Sequence, residues 1–386
     1  MKSKTTQLAE QLIALPSYVS DTVDEVRVID FLVEYAKRNL PRFEVKTSPV
    51  RGDRENLYLL GKKPARLVFV GHVDTVQPSD GWLTDPLRPV QKDGKLFGLG
   101  AADMKGSIAA LLIALQNVEP TLLDEVAVLL YIDEEYQFAG MEQLLKDGIF
   151  TKDNQPDLVV SLDGGLEVLS GCRGLIKIDM ELVGKSGHAS NPTNGTNAIT
   201  GTMEVMRTIE RKLADYSSNL GASTMNVAYL RGGAVANIDQ PDTLQRAGNV
   251  IPNYAECILE IRTASPDLDA AAVETMIRTA CISRELTVQA LTVEIDLGVW
   301  TGSYNTKATD FVRRCYGVTG LDYQQANPAY IGFIDVQMLA SSVDSPTYVI
   351  GAGGENRHGA NENVPLANLE QAQTIYQVIT TELLGE

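Results

Sequence analysis

Three histidines and a few carboxylates are the residues of this 386-residue chain whose types and spacing could do chemistry. The histidines are His72 in VFVGHVDTV, His188 in GKSGHASNP and His358 in GGENRHGANENV. The acids are Asp103 in GLGAADMKG, the adjacent Glu134 and Glu135 in LLYIDEEYQ, and Asp163 in VVSLDGG. Imidazole and carboxylate are the nitrogen and oxygen donors that suit zinc. Most of these residues follow an apolar run. The set points to a two-metal hydrolase, in which metal ions polarise a carbonyl and activate water.

Each motif also has a plainer explanation. A histidine ligand commonly passes its second ring N–H to a carboxylate, and Asp74 stands two residues after His72. The plain alternative is a loop histidine beside an unrelated acid. Asp103 could simply cap the helix that MKGSIAALL begins. The glycine-rich approach FGLGAAD instead favours a constrained loop. Asp133, Glu134 and Glu135 would repel one another at the end of a buried strand, so a positive group is expected there, and a metal pair would serve. One glutamate could then bind metal while the other acts as general base. The alternative is a solvated acidic turn. His188 could merely order its loop, and Arg262 in LEIRT could be a surface ion pair.

The elements that must position these residues can be read from the apolar pattern. LVFVG (67–71), VAVLLYI (126–132) and DLVVSL (157–162) are short runs rich in β-branched residues and read as buried strands. Residues 104–118 and 140–148 read as helices, as does 21–40, with an Asp at its N-cap. Alternation of strand and helix predicts an α/β fold: a mostly parallel sheet with helices on both faces. Such sheets gather their sites outside the carboxyl ends of the strands. LVFVG leads to His72, VAVLLYI to Glu134 and Glu135, DLVVSL to Asp163, and TYVIGAGG (347–354) to His358. Near residue 174 the pattern changes. Strands at 175–184, 223–233, 255–264 and 286–297 alternate with helices near 196–213 and 266–283. The β-α-β-β-α-β order predicts an inserted ferredoxin-like α+β domain over 174–297. Residues 1–173 and 298–386 would form the metal-binding catalytic domain, and two domains suit the length.

A net charge of −17 argues against nucleic acid and against anionic membrane surfaces. No run approaches the ~20 apolar residues of a membrane span, and the N-terminus lacks a signal-peptide core. A cytoplasmic location is the expectation. Cys172, Cys257, Cys281 and Cys315 show no CxxC spacing and read as buried thiols.

Taken together, GHVDT, GLGAADMKGS, DEE, the later acid, GHAS and the terminal His before an acidic residue resemble the zinc aminoacylase and carboxypeptidase superfamily. That group includes acetylornithine deacetylase, succinyl-diaminopimelate desuccinylase, glutamate carboxypeptidases and di- and tripeptidases. The resemblance runs from about residue 5 to 380, and the inserted domain falls where the family carries its lid or dimerisation domain. It implies two zinc ions per subunit, with cobalt or manganese as substitutes. His72 and Asp163 would bind one, Glu135 and His358 the other, and Asp103 would bridge them. Glu134 would be the general base that activates a water between the metals, with Asp74 supporting His72. His188 would stabilise the developing oxyanion, often across a homodimer formed through the inserted domain. Asn249 in GNVIPN and Arg262 match positions that hold substrate. The implied reaction is hydrolysis of an amide bond in a small N-acyl amino acid or short peptide.

The chain departs from the family's pattern in places. Leu99 stands where many relatives have Arg. Asp163 stands where deacylases commonly have Glu, and Asp at that position is more familiar in the peptidase branches, whereas GAADMKGS resembles the desuccinylases. Two other functions compete. A phosphate-ester hydrolase would want more cations than Lys105, Arg173 and Arg357 supply near the metals. A non-catalytic, metal-dependent binding module should have lost a ligand or the base, and none is missing.

Overall fold

The structure, a computed structural model, describes residues 2–150, 154–241, 243–245, 248–301 and 306–385. The chain divides into two compact units. The first comprises Met1–Ser170, Gly302–Ala326 and Ile334–Glu386; the second comprises Gly171–Thr301 and Asn327–Phe333. The short return segment Asn327–Phe333 is a part of the second unit that no pattern in the sequence signalled.

The first unit is built on a six-stranded sheet in the order Glu44–Arg51, Arg54–Leu60, Val126–Tyr131, Leu67–His72, Leu158–Ser161, Thr347–Val349. The last four run parallel, and only Arg54–Leu60 runs against the rest. The central strands Leu67–His72 and Val126–Tyr131 are buried at every position, which is why they read as unbroken apolar runs. Helices Lys4–Ile13, Lys105–Gln116 and Leu366–Leu384 pack on one another, with Phe69 edge-on to Tyr376 at 5.6 Å in the core between sheet and helix. Lys105–Gln116 is buried from Lys105 to Leu115, so it is a core element with no polar face. Helices Val26–Asn39 and Ala139–Asp147 pack on the Arg54–Leu60 strand. A small antiparallel sheet joins Val90–Lys92, Lys95–Phe97 and Asn363–Pro365.

The helix expected over 21–40 begins only at Val26. Its N-cap is Glu25, whose carboxylate makes no cap bond because it is turned inward to Arg54. Asp24 caps instead, accepting from the Val26 N–H at 3.0 Å.

The second unit is a four-stranded antiparallel sheet in the order Thr287–Leu297, Gly174–Val183, Tyr254–Thr263, Thr224–Gly233. Its chain order is β-α-β-β-α-β, with helices Ala198–Leu213 and Ala270–Ile282. Burial alternates along Gly174–Val183 and Tyr254–Thr263, so one face is packed and the other is open. Ile178, Leu182, Val205, Ile209, Leu259 and Ile277 belong to this second core.

Among the described residues no helix is long and apolar enough to cross a membrane. The four cysteines are buried and form no disulfide with one another.

Candidate metal centre

Parallel register brings the candidate ligands to one end of the large sheet. His72 ends its strand opposite Tyr131, and Val70 lies opposite Ser161. The turn 133–135 and Asp163 therefore leave the two strands that flank His72's strand at nearly the same level. Thr347–Val349 pairs with Val159–Ser161 and leads on to His358. Asp103 just precedes the buried helix, but the N-cap position belongs to Met104 and no side chain caps there. Asp103 is thus free of the capping role and faces the histidines.

Donor atoms of His72, Asp103 and Asp163 lie within 4.8 Å of one another, as do those of Asp103, Glu135 and His358. Asp103 belongs to both groups. Its Oδ1 is 3.1 Å from His72 Nε2 and its Oδ2 is 3.3 Å from His358 Nε2. Glu135 Oε1 is 3.1 Å from the same His358 nitrogen. Glu134 stands with His72 and Glu135 in a third group. Among the described residues no hydrogen bond or ion pair occupies its carboxylate. Each group offers imidazole and carboxylate donors to one point, a set that suits zinc or a similar divalent cation.

Supporting contacts fix these donors. His72 Nδ1 lies 3.1 Å from the Asp74 carbonyl oxygen and 3.5 Å from Asp74 Oδ1, while Asp74 Oδ2 accepts the Glu135 N–H at 2.9 Å. One acid therefore orients a candidate ligand from each group. Glu362 accepts N–H bonds from Gly100, Ala102 and Asp103 at 2.8–2.9 Å and so holds the loop that carries Asp103. Arg357 lies 3.2 Å from Asp163 Oδ1 and donates to the Gly164 carbonyl at 2.8 Å. Tyr131 donates to Asp335 at 2.7 Å. Gly140 is the second residue of the helix after the acidic turn, where a Cβ would meet the Ile132 carbonyl oxygen at 2.1 Å.

The proton affinities of these groups follow from their burial and from their charged neighbours. Burial alone would depress the His72 pKa, but Asp103 and Asp74 outweigh it and hold it well above the ordinary value. Hydrogen bonds to Asp103 and Glu135 raise His358 to about 10. Burial, aided by Asp103, pushes Asp163 up to about 7. Burial also holds Glu134 well above the usual carboxylate range, against the pull of His72 and with Asp335, Asp163 and Glu135 adding to the rise. Only Asp103 is held well below its usual value, because His358 and His72 together overcome its burial.

The positive group expected beside the acidic run is in part a side chain. Arg54 pairs with Asp133 at 2.6 Å, which removes Asp133 from the set that needs a metal. Arg54, Asp335, Glu362 and the Arg357–Asp163 pair were not singled out by any motif. Only the acid after the terminal histidine hinted at Glu362.

The other sequence candidates lie in the second unit. His188 is exposed, with Nδ1 2.7 Å from Ser190 Oγ. It pairs across a β-bridge with Val250, and the Ala189 N–H donates to the Asn249 carbonyl at 2.9 Å. The GHAS and GNVIPN loops therefore lie side by side, with Asn249 exposed. Arg262 lies near the end of its strand and pairs with Glu260 at 2.8 Å.

The chain is 30% identical over 248 residues to an acetylornithine deacetylase of Photorhabdus laumondii, covering 60% of this chain and 63% of that protein. It is 33% identical over 208 residues to the acetylornithine deacetylase of Erwinia tasmaniensis, covering 50% and 53%. The matches thus span between half and two thirds of these curated relatives. In fold it is similar to a tripeptidase from Staphylococcus aureus, with a TM-score of 0.78 at 19% identity over 99% of this chain and 98% of the other. It is also similar to an M20 family metallo-carboxypeptidase from Sulfolobus solfataricus, with a TM-score of 0.75 at 17% identity over the whole of both chains. With residues 68–382 matched by that family's description, the chain belongs to peptidase family M20/M25/M40.

Proposed function

We propose that this protein is a metal-dependent hydrolase that cleaves an amide bond in a small N-acyl amino acid or a short peptide. The observation that carries the reading is the pair of donor groups sharing Asp103, with the unengaged Glu134 carboxylate beside them. His72, Asp103 and Asp163 would hold one zinc ion, and Asp103, Glu135 and His358 the other. Bound there, the metals supply Lewis-acid polarisation of the scissile carbonyl and a lowered pKa for the attacking water.

The chain's own residues do the rest. Glu134 accepts a proton from that water and returns it to the leaving nitrogen, two steps that one carboxylate beside the metals can serve in turn. Asp74 keeps His72 in one orientation and tethers the Glu135 backbone. In the second unit, His188 is assigned to the developing oxyanion, and Asn249 and Arg262 to holding the substrate. That unit is assigned the lid and dimerisation role. Its edge strand Thr224–Gly233 is largely exposed, with Val227, Tyr229 and Leu230 each about two-fifths accessible. Likeness to acetylornithine deacetylases favours an N-acyl amino acid, whereas Asp in place of Glu at 163 favours the peptidase branches.

The test is a hydrolysis panel with zinc- or cobalt-loaded protein. It covers N-acetyl, N-succinyl and N-formyl amino acids, γ-glutamyl compounds, and di- and tripeptides, with Glu134→Ala as the blank. Turnover should fall by about 10³-fold or more in the blank while metal content stays at the wild-type level. Loss of metal together with activity would make Glu134 a ligand, and silence across the panel would overturn the reading.

A further inference from the structure

The turn that carries Glu134 and Glu135 is anchored from behind by a buried ionic clamp. Strand Arg54–Leu60 pairs with Val126–Tyr131 in a register that sets Leu57 opposite Leu130. Continued past the strand end, the same register sets Arg54 opposite Asp133. The Arg54 guanidinium meets the Asp133 carboxylate at 2.6 Å and both oxygens of Glu25 at 2.6 and 2.7 Å. Glu25 is fully buried and Asp133 is 2% exposed.

Asp133 is the pivot of the turn. Its φ of 68° lies in the left-handed region, which aspartate and asparagine tolerate better than other non-glycine residues. Its carbonyl accepts the Gln137 and Phe138 N–H groups at 3.2 and 2.8 Å and closes the loop. Among the described residues the next side chain, Glu134, makes no hydrogen bond or ion pair, so its direction is inherited from the backbone at Asp133.

We propose that Arg54 is a positioning residue: through Asp133 it fixes the angle at which Glu134 and Glu135 leave the sheet. This rests on the metal-hydrolase reading above.

The two arms of the clamp can be cut separately. Glu25 ties Arg54 to a helix start, whereas Asp133 ties it to the acidic turn. Asp133→Asn keeps a residue that tolerates positive φ and removes the charge. A misplacement of about 1 Å at a catalytic group can cost about 100-fold in rate. Arg54→Met should therefore lower kcat about 100-fold with KM within a few-fold, and Asp133→Asn about tenfold. The double variant should be no worse than Arg54→Met alone. Arg54→Lys, which keeps the charge without the fork, should fold and fall between. Glu25→Gln should lower Tm yet leave kcat within about threefold. A purely structural role would instead lower Tm in all of them, leave kcat per folded molecule unchanged and give additive losses, and that would overturn the proposal.

Zinc affinity, read by competition with a chelating dye, gives a second measure that needs no substrate. It should weaken about tenfold in Arg54→Met and Asp133→Asn, through Glu135, and stay level in Glu25→Gln. Unchanged affinity in all three would also count against the clamp. If wild-type protein binds zinc but hydrolyses nothing, the functional reading fails while this measurement still decides the role of Arg54.

Discussion

The two units hold their candidate residues in opposite ways. In the first, His72, Asp103 and Asp163 are buried, and each has a charged or backbone partner within 3.2 Å. In the second, His188 and Asn249 are exposed on adjoining loops held by a β-bridge and one backbone hydrogen bond. The difference is that between a centre built before any ligand arrives and loops free to adapt to one. Buried carboxylates so close together require fixed countercharges, and the core supplies them. Exposed loop residues cost little to present and little to rearrange.

The comparison breaks most sharply at Asp103, which both donor groups share. Asp103→Ala should abolish tight binding of both metals and lower kcat by at least about 10³-fold, as metal analysis after dialysis and steady-state kinetics would read. Retention of one tight metal would mean that the groups are independent. On the other side, His188→Ala should lower kcat about 100-fold with full metal content and unchanged Tm, since an oxyanion donor acts only in the transition state. Full activity in this variant would leave His188 without a part in catalysis.

The smallest effect concerns protons. In metal-free protein His358 keeps its proton up to about pH 10, and its ordinary value is 6.5. A raised folded-state pKa means that its ion pairs stabilise the metal-free protein fully below pH 6.5 and are lost as pH rises through about 10. A zinc ligand must be neutral, so metal and proton compete. Near pH 7, loading both groups should release at least two protons, one from each histidine and a further fraction from Asp163, and affinity should rise with pH. Calorimetry in buffers of different ionisation enthalpy would register this; uptake without proton release would show that the histidines are already neutral.

Much of the centre was legible because chemistry and pattern coincide there. His72, Glu135 and Asp163 each follow an unbroken apolar run, and unbroken runs mark buried parallel strands whose ends gather at one edge. The second unit's strands were legible from alternation for the complementary reason, since only one face is packed. What was not legible has no local signal. Arg54 sits in the polar turn RGDREN and looks like a surface charge until the antiparallel register sets it opposite Asp133. Asp335 lies in GFIDV, a weakly patterned stretch, yet it is fully buried against Tyr131. The start of the helix near residue 21 was misjudged because Glu25 answers to Arg54 and not to the helix. In each case the deciding partner is distant in sequence.

The Glu362 staple has a consequence for biosynthesis. It joins the Asp103 loop to a residue about 260 positions later, and His358 arrives only four residues before it. Chains emerge from the ribosome N-terminus first. For most of its synthesis the nascent chain therefore carries the His72 cluster alone, with its loop unpinned. Both candidate donor groups are complete only once the C-terminal segment with His358 has emerged. Stalled chains ending on either side of His358 would show it: only those exposing residue 362 should retain two zinc ions through a chelator wash.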